Sequence, residues 1–377
     1  MNITFIVDSI LPQLTKVASV VNNKNAIQIL DSIMVETFSD GTTAIFTTSD
    51  GEVTLQMKAD VESEAPVKFC VEAKTFLQTL RGLNGRAVTL SLDEQTHTIK
   101  GKYNNGHFSL PYQDAAEYPT PVKFNGEEEE HIIDAQRFIR AVDMVKFSIS
   151  KEELRPQMNG IHLDFFADSM VAVSSDGHRL AKYADLSVTR NDEKTSEFIL
   201  PSKPSNLLAS IMQKVEGDVK ITFDSKMLSV SNSNWKLTTR LIEGRYPNYN
   251  SVIPKDNNIE AKVVKEDVMG ALKRVLPLGS TSTEMVALTF ENGAVTISSE
   301  DIDFSTSASE TIPCEYNGNK FRIAFKGSFL AASIQNMDSE HICFLLPEPS
   351  RSCVLKPSAN APQTEYLSLI MPMMLNN

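Results

Sequence analysis

One short segment of the chain has residue types that could support acid–base chemistry. Asp176, His178 and Arg179 stand around Gly177, and a carboxylate beside an imidazole can activate a hydroxyl group or a water molecule. That chemistry needs a positioned nucleophile or substrate, and the neighbouring sequence supplies neither. The sequence also lacks a Gly-x-Ser-x-Gly elbow and a Walker-type phosphate loop. It therefore predicts a protein that is not an enzyme, with a hydrolase using Asp176 and His178 as the alternative.

The remaining polar residues do not have the spacing of a metal site. The six histidines include no metal-spaced pair. Glu300, Asp301 and Asp303 lack the glycine and the distal glutamate of a calcium loop, so the pattern favours an exposed acidic turn. Four scattered cysteines in a chain of 377 residues are typical of a reducing cytosol. We expect no metal and no cofactor.

The N-terminal residues do not have the pattern of a secretion signal. No basic segment precedes Ile3, and Asp8 interrupts the apolar run. No stretch approaches the roughly 20 apolar residues of a membrane-spanning helix. The sequence predicts a cytoplasmic protein with no membrane partner.

The Asp-Gly segment belongs to a pattern that occurs three times. A short apolar strand leads into 49–51 (Ser-Asp-Gly) and into 175–177 (Ser-Asp-Gly), and a weaker echo stands at 299–301 (Ser-Glu-Asp). The three serines are 126 and 124 residues apart. Equal steps predict three copies of one unit, each of ordinary domain size. The predicted domains are residues 1–124, 125–253 and 254–377.

Each unit has the same predicted order of elements. A strand leads into an amphipathic helix, further strands follow, and a second helix precedes the last strands. The paired helices begin near residues 9 and 73, 134 and 202, and 265 and 327. The order predicts an α+β fold of three tandem repeats, each with two helices packed on antiparallel sheet.

Charge is distributed unevenly between helices and the rest of the chain. The net charge of −12 argues by itself against nucleic acid as a partner. The six predicted helices nevertheless hold eleven basic and four acidic residues, a net charge of +7 that leaves −19 elsewhere. Basic residues often only decorate solvated helix faces, but six helices with this imbalance favour one common positive surface. Such a surface binds phosphates without reading base sequence.

Three further motifs resemble those of the bacterial DNA polymerase III beta subunit family. They are Ser-Asp-Gly-His-Arg-Leu-Ala at 175–181, Gly-Arg-Tyr-Pro-Asn-Tyr at 244–249 and Met-Pro-Met at 371–373. The resemblance covers the whole chain. It implies a sliding clamp, in which two three-domain chains join head to tail as a ring of six DNA-clamp domains. Helices would line the hole, and continuous sheet would form the outside.

The same resemblance implies a hydrophobic pocket for short peptides of the replicative polymerase, the clamp loader and other clamp-binding proteins. Soft methionine side chains near the chain end fit a pocket wall, although the last residues could instead form an edge strand that closes a core. The residues implied for the pocket are Met158, Ser175, Gly177, His178, Arg179, Leu180, Pro247, Val252, Phe329, Ser352, Leu369, Ile370, Met371, Pro372 and Met373.

Duplex DNA and a second copy of the chain are the other implied partners. For the dimer contact, we expect Phe108 and Leu110 of one copy to face Leu276 and Leu278 of the other. The residues expected to face DNA are Lys16, Lys24, Lys74, Arg81, Arg137, Arg140, Lys146, Lys151, Arg155, Lys203, Lys214, Lys273 and Arg274. A second alternative is a monomeric adaptor that binds peptides but never encircles DNA.

Overall fold

The computed structural model describes residues 1–21, 27–119, 123–189, 194–254, 257, 259–346 and 351–375. They pack as two compact units. The first comprises Met1–Gln136 and Asn206–Leu241, and the second comprises Arg137–Ser205 and Ile242–Asn377. Each unit combines elements of neighbouring repeats, and the domain boundaries at 124 and 253 stay a prediction. No described helix has the length and apolar character needed to cross a membrane.

Two α-helices occur in each repeat, and every one begins directly after a strand. They begin 66, 67 and 62 residues apart within the three repeats, which confirms the predicted spacing. Their bounds are α1 (Val7–Val17), α2 (Ala73–Arg81), α3 (Ala135–Val145), α4 (Ser202–Met212), α5 (Lys265–Val275) and α6 (Gly327–Gln335).

Apolar residues at helical spacing explain how these helices pack. In α1, Ile10, Leu14 and Val17 are fully buried, and in α5 the corresponding residues Leu272 and Val275 are buried too. The helix α1 packs against α2 in the first unit, and α5 packs against α6 in the second. Burial of one apolar stripe leaves the opposite face of each helix for polar residues.

The strands complete the three repeats. Repeat one contains β1 (Asn2–Ile6), β2 (Ser32–Thr37), β3 (Thr43–Ser49), β4 (Val53–Asp60), β5 (Glu62–Ser63), β6 (Lys68–Glu72), β7 (Ala87–Asp93), β8 (Thr98–Tyr103), β9 (Gly106–Pro111) and β10 (Gln113–Asp114). Repeat two contains β11 (Glu129–Asp134), β12 (Gly160–Phe165), β13 (Met170–Ser175), β14 (Arg179–Asp185), β15 (Ser196–Pro201), β16 (Asp218–Phe223), β17 (Met227–Ser231) and β18 (Trp235–Arg240). Repeat three contains β19 (Ile259–Val264), β20 (Met285–Glu291), β21 (Ala294–Asp301), β22 (Thr306–Pro313), β23 (Phe321–Lys326), β24 (His341–Leu346), β25 (Cys353–Pro357) and β26 (Thr364–Ile370).

These strands form four antiparallel sheets. The first unit holds a five-stranded sheet, β5-β1-β7-β8-β9, and a nine-stranded sheet, β10-β6-β2-β3-β4-β18-β17-β16-β11. The second unit holds an eight-stranded sheet, β15-β12-β13-β14-β26-β25-β24-β19, and a four-stranded sheet, β22-β21-β20-β23. The predicted α+β class with antiparallel sheet is confirmed.

The two largest sheets each join strands of neighbouring repeats at equivalent positions. In the nine-stranded sheet β4 pairs with β18, from Trp235↔Met57 to Thr239↔Val53. In the eight-stranded sheet β14 pairs with β26, from Arg179↔Ile370 to Asp185↔Thr364. Each joint therefore pairs the strand that follows the Asp turn of one repeat with the last long strand of the next repeat. In the third repeat the strand that follows the Asp turn is β22, and in the first repeat the last long strand is β9. Neither belongs to such a joint within the described chain, and both are end strands of their sheets.

The strand register corrects the alignment of the third Asp turn. Ser32↔Glu72, Gly160↔Pro201 and Met285↔Lys326 each precede the second helix of a repeat, so they are equivalent pairs. Following this register across β21 places Asp301 level with Asp50 and Asp176, and Glu300 level with Ser49 and Ser175. The expected exposed acidic turn is wrong for Asp301, which is 7% exposed and accepts the backbone N–H of Phe304.

The structure also refines the charge count. Lys146 and Lys214 lie just beyond helix ends, Asp134 lies in β11, and Asp8 lies inside α1. The six α-helices therefore hold nine basic and four acidic residues, a net charge of +5 against −12 for the whole chain. The segregation of charge predicted from the sequence remains, with a smaller excess on the helices.

Candidate functional site

A cavity of about 310 Å³ lies in the second unit, and three stretches of chain provide most of its wall. The Asp turn before β14 provides one side, residues 246–252 provide another, and the end of β26 provides the third. The lining residues are Arg155, Met158, Ser175, Gly177, Arg179, Leu180, Tyr246, Pro247, Asn248, Tyr249, Val252, Ser352, Leu369 and Met371. Cavities of this size, with mostly apolar walls and a few polar groups, are typical of ligand sites.

The Asp turn is held by its own side chains. Ser175 Oγ accepts the N–H of Gly177 at 3.1 Å and donates to the carbonyl of Arg179 at 2.8 Å. Asp176 accepts the backbone N–H groups of His178 at 3.0 Å and Arg179 at 2.9 Å. Gly177 has a φ of +87°, a conformation that strains residues with a side chain. The turn is therefore a fixed part of the cavity wall.

Arg179 connects this turn to the third repeat. Its Nε donates to Asp176 Oδ2 at 3.0 Å, and its guanidinium lies 4.3 Å from the ring centre of Phe329 and 5.4 Å from that of Phe147. A guanidinium over aromatic rings in a partly desolvated position is a favourable cation–π contact. Arg179 thus has a structural role at the cavity rim.

Two tyrosines form a rigid side of the cavity. Tyr246 is buried and stacks on His162, with ring centres 4.9 Å apart and planes 13° apart. Tyr249 donates its hydroxyl proton to Asp164 Oδ2 at 2.8 Å. Burial raises the pKa of Tyr246, and burial together with the Asp164 carboxylate raises the pKa of Tyr249. Both phenols are therefore neutral near pH 7, and both residues line the cavity.

Most of the residues predicted for the pocket lie around this one cavity. The structure places ten of them in its lining: Met158, Ser175, Gly177, Arg179, Leu180, Pro247, Val252, Ser352, Leu369 and Met371. Val252 and Met371 are 55% and 47% exposed, so both present apolar surface to an incoming ligand.

The other predicted pocket residues lie next to the cavity rather than in its lining. Ile370 is fully buried in β26, and Phe329 lies under Arg179. The carbonyl of His178 accepts the N–H of Met371 at 2.8 Å. Pro372 and Met373 near the chain end are half-buried, and Met373 forms an isolated β-bridge with Ala324 of β23. The chain end therefore combines a pocket wall with an edge contact, the two possibilities that the sequence left open.

Four lining residues were not among those predicted for the pocket. Tyr246, Asn248 and Tyr249 belong to the motif at 244–249, whose aromatic residues were the available signal. The fourth is Arg155, a residue predicted to face DNA. Its Nη1 lies 3.4 Å from the position of a Cβ on Gly177. The structure thus gives Arg155 a place at the cavity, and DNA contact by this residue stays a prediction.

The basic residues predicted to face DNA differ in how strongly other groups hold them. Arg137 contacts Asp185, Arg140 contacts Asp338 at 2.7 Å, Lys146 contacts Asp143 at 2.7 Å, and Arg274 contacts Glu310 at 2.6 Å. Lys16 donates to the carbonyl of Ile211 at 3.3 Å. The exposed members of the set include Lys74, Arg81, Lys151, Lys203, Lys214 and Lys273. Lys24 lies outside the described residues.

The residues predicted for the dimer contact lie in the end strand β9 and next to the end strand β22. Phe108 and Leu110 belong to β9; Leu110 is buried and the ring of Phe108 covers Gly101. Leu276 and Leu278 form a short 3₁₀ turn after α5, and Leu278 is 43% exposed. The hydroxyl of Thr306, the first residue of β22, donates to the carbonyl of Leu278 at 2.9 Å.

In the described part of the chain, neither Asp176 nor the group around His162 is arranged as a hydrolase site or a metal site. Asp176 is occupied by the N–H groups of its own turn and by Arg179. His162, Asp164 and Glu197 bring one ligand atom each within 4.8 Å of one another, a grouping that sequence spacing did not reveal. However, Asp164 already accepts Tyr249, and His162 Nδ1 has no hydrogen-bond acceptor to hold the ring in a metal-binding tautomer. We interpret this group as a hydrogen-bonded support for the tyrosines.

Comparison with known proteins agrees with this architecture. Sequence models of the N-terminal, central and C-terminal domains of the DNA polymerase III beta subunit match residues 1–122, 132–248 and 250–374. The beta sliding clamp of Pseudomonas putida is 24% identical over 377 residues, covering 100% of both chains. That of Caulobacter vibrioides is 26% identical over 330 residues, covering 85% of this chain and 87% of the relative.

Solved structures show the same fold. A crystal structure of a DnaN sliding clamp from Pseudomonas aeruginosa, bound to griselimycin, matches with a TM-score of 0.92 at 22% identity, and the match covers 100% of both chains. The DNA polymerase III beta subunit of Thermotoga maritima matches with a TM-score of 0.89 at 20% identity, again over 100% of both chains. Because the three domain models together span nearly the whole sequence, this chain belongs to the DNA polymerase III beta subunit family.

Proposed function

We propose that the chain is a DNA sliding clamp. Two copies join head to tail as a closed ring around duplex DNA, and the cavity beside the Asp turn holds a short peptide of the replicative polymerase. Clamp loader and other clamp-binding proteins use the same cavity at other times. The protein binds and tethers rather than catalyses, and it acts in the cytoplasm.

The observation that carries this proposal is that two strands equivalent to those of the internal joints, β9 and β22, both have an open edge. Within one chain, β4–β18 and β14–β26 are two joints of the same kind. Among the described residues, no strand pairs with the outer side of their equivalents β22 and β9. A second copy supplies the missing partner for each edge. Each contact then joins two different surfaces, and two such contacts close a ring of two chains.

The hydrogen-bond phase of the two edges is compatible with direct pairing. Tyr112, which follows β9, donates its backbone N–H to the carbonyl of His97, which precedes β8. Because N–H directions alternate along a strand, the N–H groups of His107 and Ser109 point to the open side of β9. Cys314, which follows β22, donates its backbone N–H to the carbonyl of Gly293, which precedes β21. By the same alternation, the N–H groups of Ser307 and Ser309 point to the open side of β22. Transfer of the register from β4–β18 places Ser109 opposite Ser307 and His107 opposite Ser309. These groups face one another as an antiparallel ladder requires.

The charge distribution supports DNA as the ligand of the helices. The helices carry a net positive charge while the chain as a whole is acidic. Contacts to phosphates bind without base specificity and are loose enough to permit sliding. A ring that is held by topology needs little affinity, so a modest positive surface is sufficient.

The cavity supports a tethering role. It offers exposed apolar groups at Val252 and Met371, aromatic residues at Tyr246 and Tyr249, and a cation at Arg155. A short peptide with apolar anchors and an acidic or polar flank matches that chemistry. Tethering raises the polymerase concentration at the primer end to roughly millimolar, so a dissociated polymerase rebinds the same primer.

We predict that Arg81→Gln with Lys273→Gln weakens contact with duplex DNA. Both residues are exposed in the last turns of α2 and α5. Each lost phosphate contact should lower the slope of log affinity against log salt by about one. The measurement is anisotropy of a short labelled duplex over a range of salt. Lys102→Gln with Lys236→Gln, on exposed strand positions, is the matched control and should leave the slope unchanged. Equal slopes for both variants would contradict the assignment of DNA to the helices.

The proposed function is tested by primer extension on a long single-stranded circle with the cognate polymerase and clamp loader. We expect the protein to lengthen the products made in a single binding event, with an excess of unlabelled primer present as a trap. Unchanged product length, together with a particle mass near 41.8 kDa in solution, would instead support the monomeric adaptor.

A further inference from the structure

The third repeat differs from the other two at the tip of the hairpin that precedes its open edge. Asp50 pairs with Val53 and Asp176 with Arg179, so two residues form each of those turns. In the third repeat Asp301 pairs with Thr306, and the four residues 302–305 form the turn. We call these four residues the hairpin tip. It is two residues longer than its equivalents.

The hairpin tip exposes two large apolar side chains. Ile302 is 80% exposed and Phe304 is 78% exposed. They lie two residues apart on one short turn, and Thr306, which follows the turn, donates a hydrogen bond to the carbonyl of Leu278, itself 43% exposed. Single exposed apolar residues are common, whereas a group at the end of a sheet is typical of an interaction surface.

The equivalent turns show what such a tip contacts. The backbone carbonyl of Glu52 accepts the backbone N–H of Arg240 at 3.1 Å, just past the end of the β4–β18 pairing. The backbone carbonyl of His178 accepts the N–H of Met371 at 2.8 Å, just past the end of the β14–β26 pairing. Both turns therefore hold the residue that follows the paired part of the neighbouring strand.

At the open edge of β9 the corresponding residue cannot make this hydrogen bond. Pro111 pairs with Thr98, the first residue of β8, as Arg240 pairs with Met227, the first residue of β17. Proline has no backbone N–H. The hydrogen bond that ends the other two joints is therefore excluded by sequence at the third.

A cavity lies at this position. It has a volume of about 340 Å³, and Pro111, Tyr112 and Gln113 form one side of it. The other lining residues are apolar at Val21 and Cys70 and polar or charged at Gln28, Asp31, Ser32, Glu72 and Lys74. A cavity of about 150 Å³ is enough to bind benzene, so this one has room for the ring of a phenylalanine. Register transfer from β4–β18 brings the hairpin tip of one copy alongside residues 111–113 of the other.

We propose that the hairpin tip of one copy docks in the cavity at Pro111–Gln113 of the second copy. Phe304 is the anchor and Ile302 covers the rim, so an apolar contact replaces the backbone hydrogen bond that Pro111 cannot donate. The occupant is a second copy of this chain, because the tip and the cavity both continue the two unpaired edges. This inference rests on the proposed head-to-tail pairing.

Analytical ultracentrifugation of the full chain tests the energetic part. Ile302→Ser with Phe304→Ser should raise the dimer dissociation constant at least about tenfold, as expected for loss of an aromatic anchor. Leu154→Ser, at a leucine that is 93% exposed, is the matched control and should dimerise like the original protein. Since all three residues are exposed, the thermal midpoint of the monomer should be unchanged in both variants.

Photocrosslinking tests the geometric part. A benzoylphenylalanine at position 304 should crosslink two copies, and the linked peptide should contain residues 111–113. An original protein that stays monomeric at high concentration would overturn the proposed function. If the unsubstituted protein dimerises but the tip variants dimerise equally well, this inference alone is overturned. Crosslinks that fall outside residues 111–113 would overturn it in the same way.

Discussion

Ser109→Pro is expected to convert the protein from a dimer to a monomer. Ser109 is exposed, and its N–H points to the open side of β9, so the change removes a donor that the chain itself does not use. In the ring it faces Ser307 of the partner copy at both joints. An unmet acceptor costs about 1–3 kcal/mol, so two joints lose about 2–6 kcal/mol and the dissociation constant rises at least about 30-fold.

Two controls separate pairing from folding in this experiment. Ser109→Ala keeps the N–H and should remain dimeric at the same concentration. The circular dichroism spectrum and thermal midpoint of the proline variant should match those of monomeric protein at high dilution. Sedimentation of a fully dimeric Ser109→Pro variant would show that β9 does not form the joint.

Val252→Asp with Met371→Asp is expected to abolish peptide binding while leaving the dimer intact. Both residues line the cavity and are about half exposed, so neither supports the core. A buried anchor contributes about 2 kcal/mol or more, and two introduced carboxylates should lower affinity at least about 100-fold. Fluorescence anisotropy of a labelled peptide from the cognate polymerase measures this change.

The chain supplies a matched control for that variant. Met374 is 92% exposed, lies three residues beyond Met371 and does not line the cavity. Met374→Asp should bind the peptide as the original protein does. A peptide that binds the double variant and the control equally would place its site elsewhere.

The local elements and most of the pocket could be predicted from sequence because their signals are short-range. Apolar residues at helical spacing identified α1 and α5, and the Asp-Gly turn identified the repeats. The joints could not be predicted in the same way. Met57 pairs with Trp235 across 178 residues, and a strand pattern does not state its partner.

The misplaced residues have equally specific causes. Ser299 appeared equivalent to Ser49 because serine was matched with serine, whereas sheet register makes Glu300 the equivalent residue. The DNA prediction for Arg155 rests on its charge and on a loop that resembles a DNA-touching loop of the family, and neither distinguishes a DNA contact from a cavity rim. Tyr246 and Tyr249 gave an aromatic signal, but their support by His162 and Asp164 depends on strands more than 80 residues away.

The most direct test of the account is release from DNA upon linearisation. Labelled protein is loaded on a nicked circular duplex with the cognate clamp loader, free protein is removed, and a restriction enzyme then opens the circle. We expect stable retention on the circle and prompt release from the linear product, because only topology holds the proposed ring. Retention on linear DNA equal to that on the circle would contradict it.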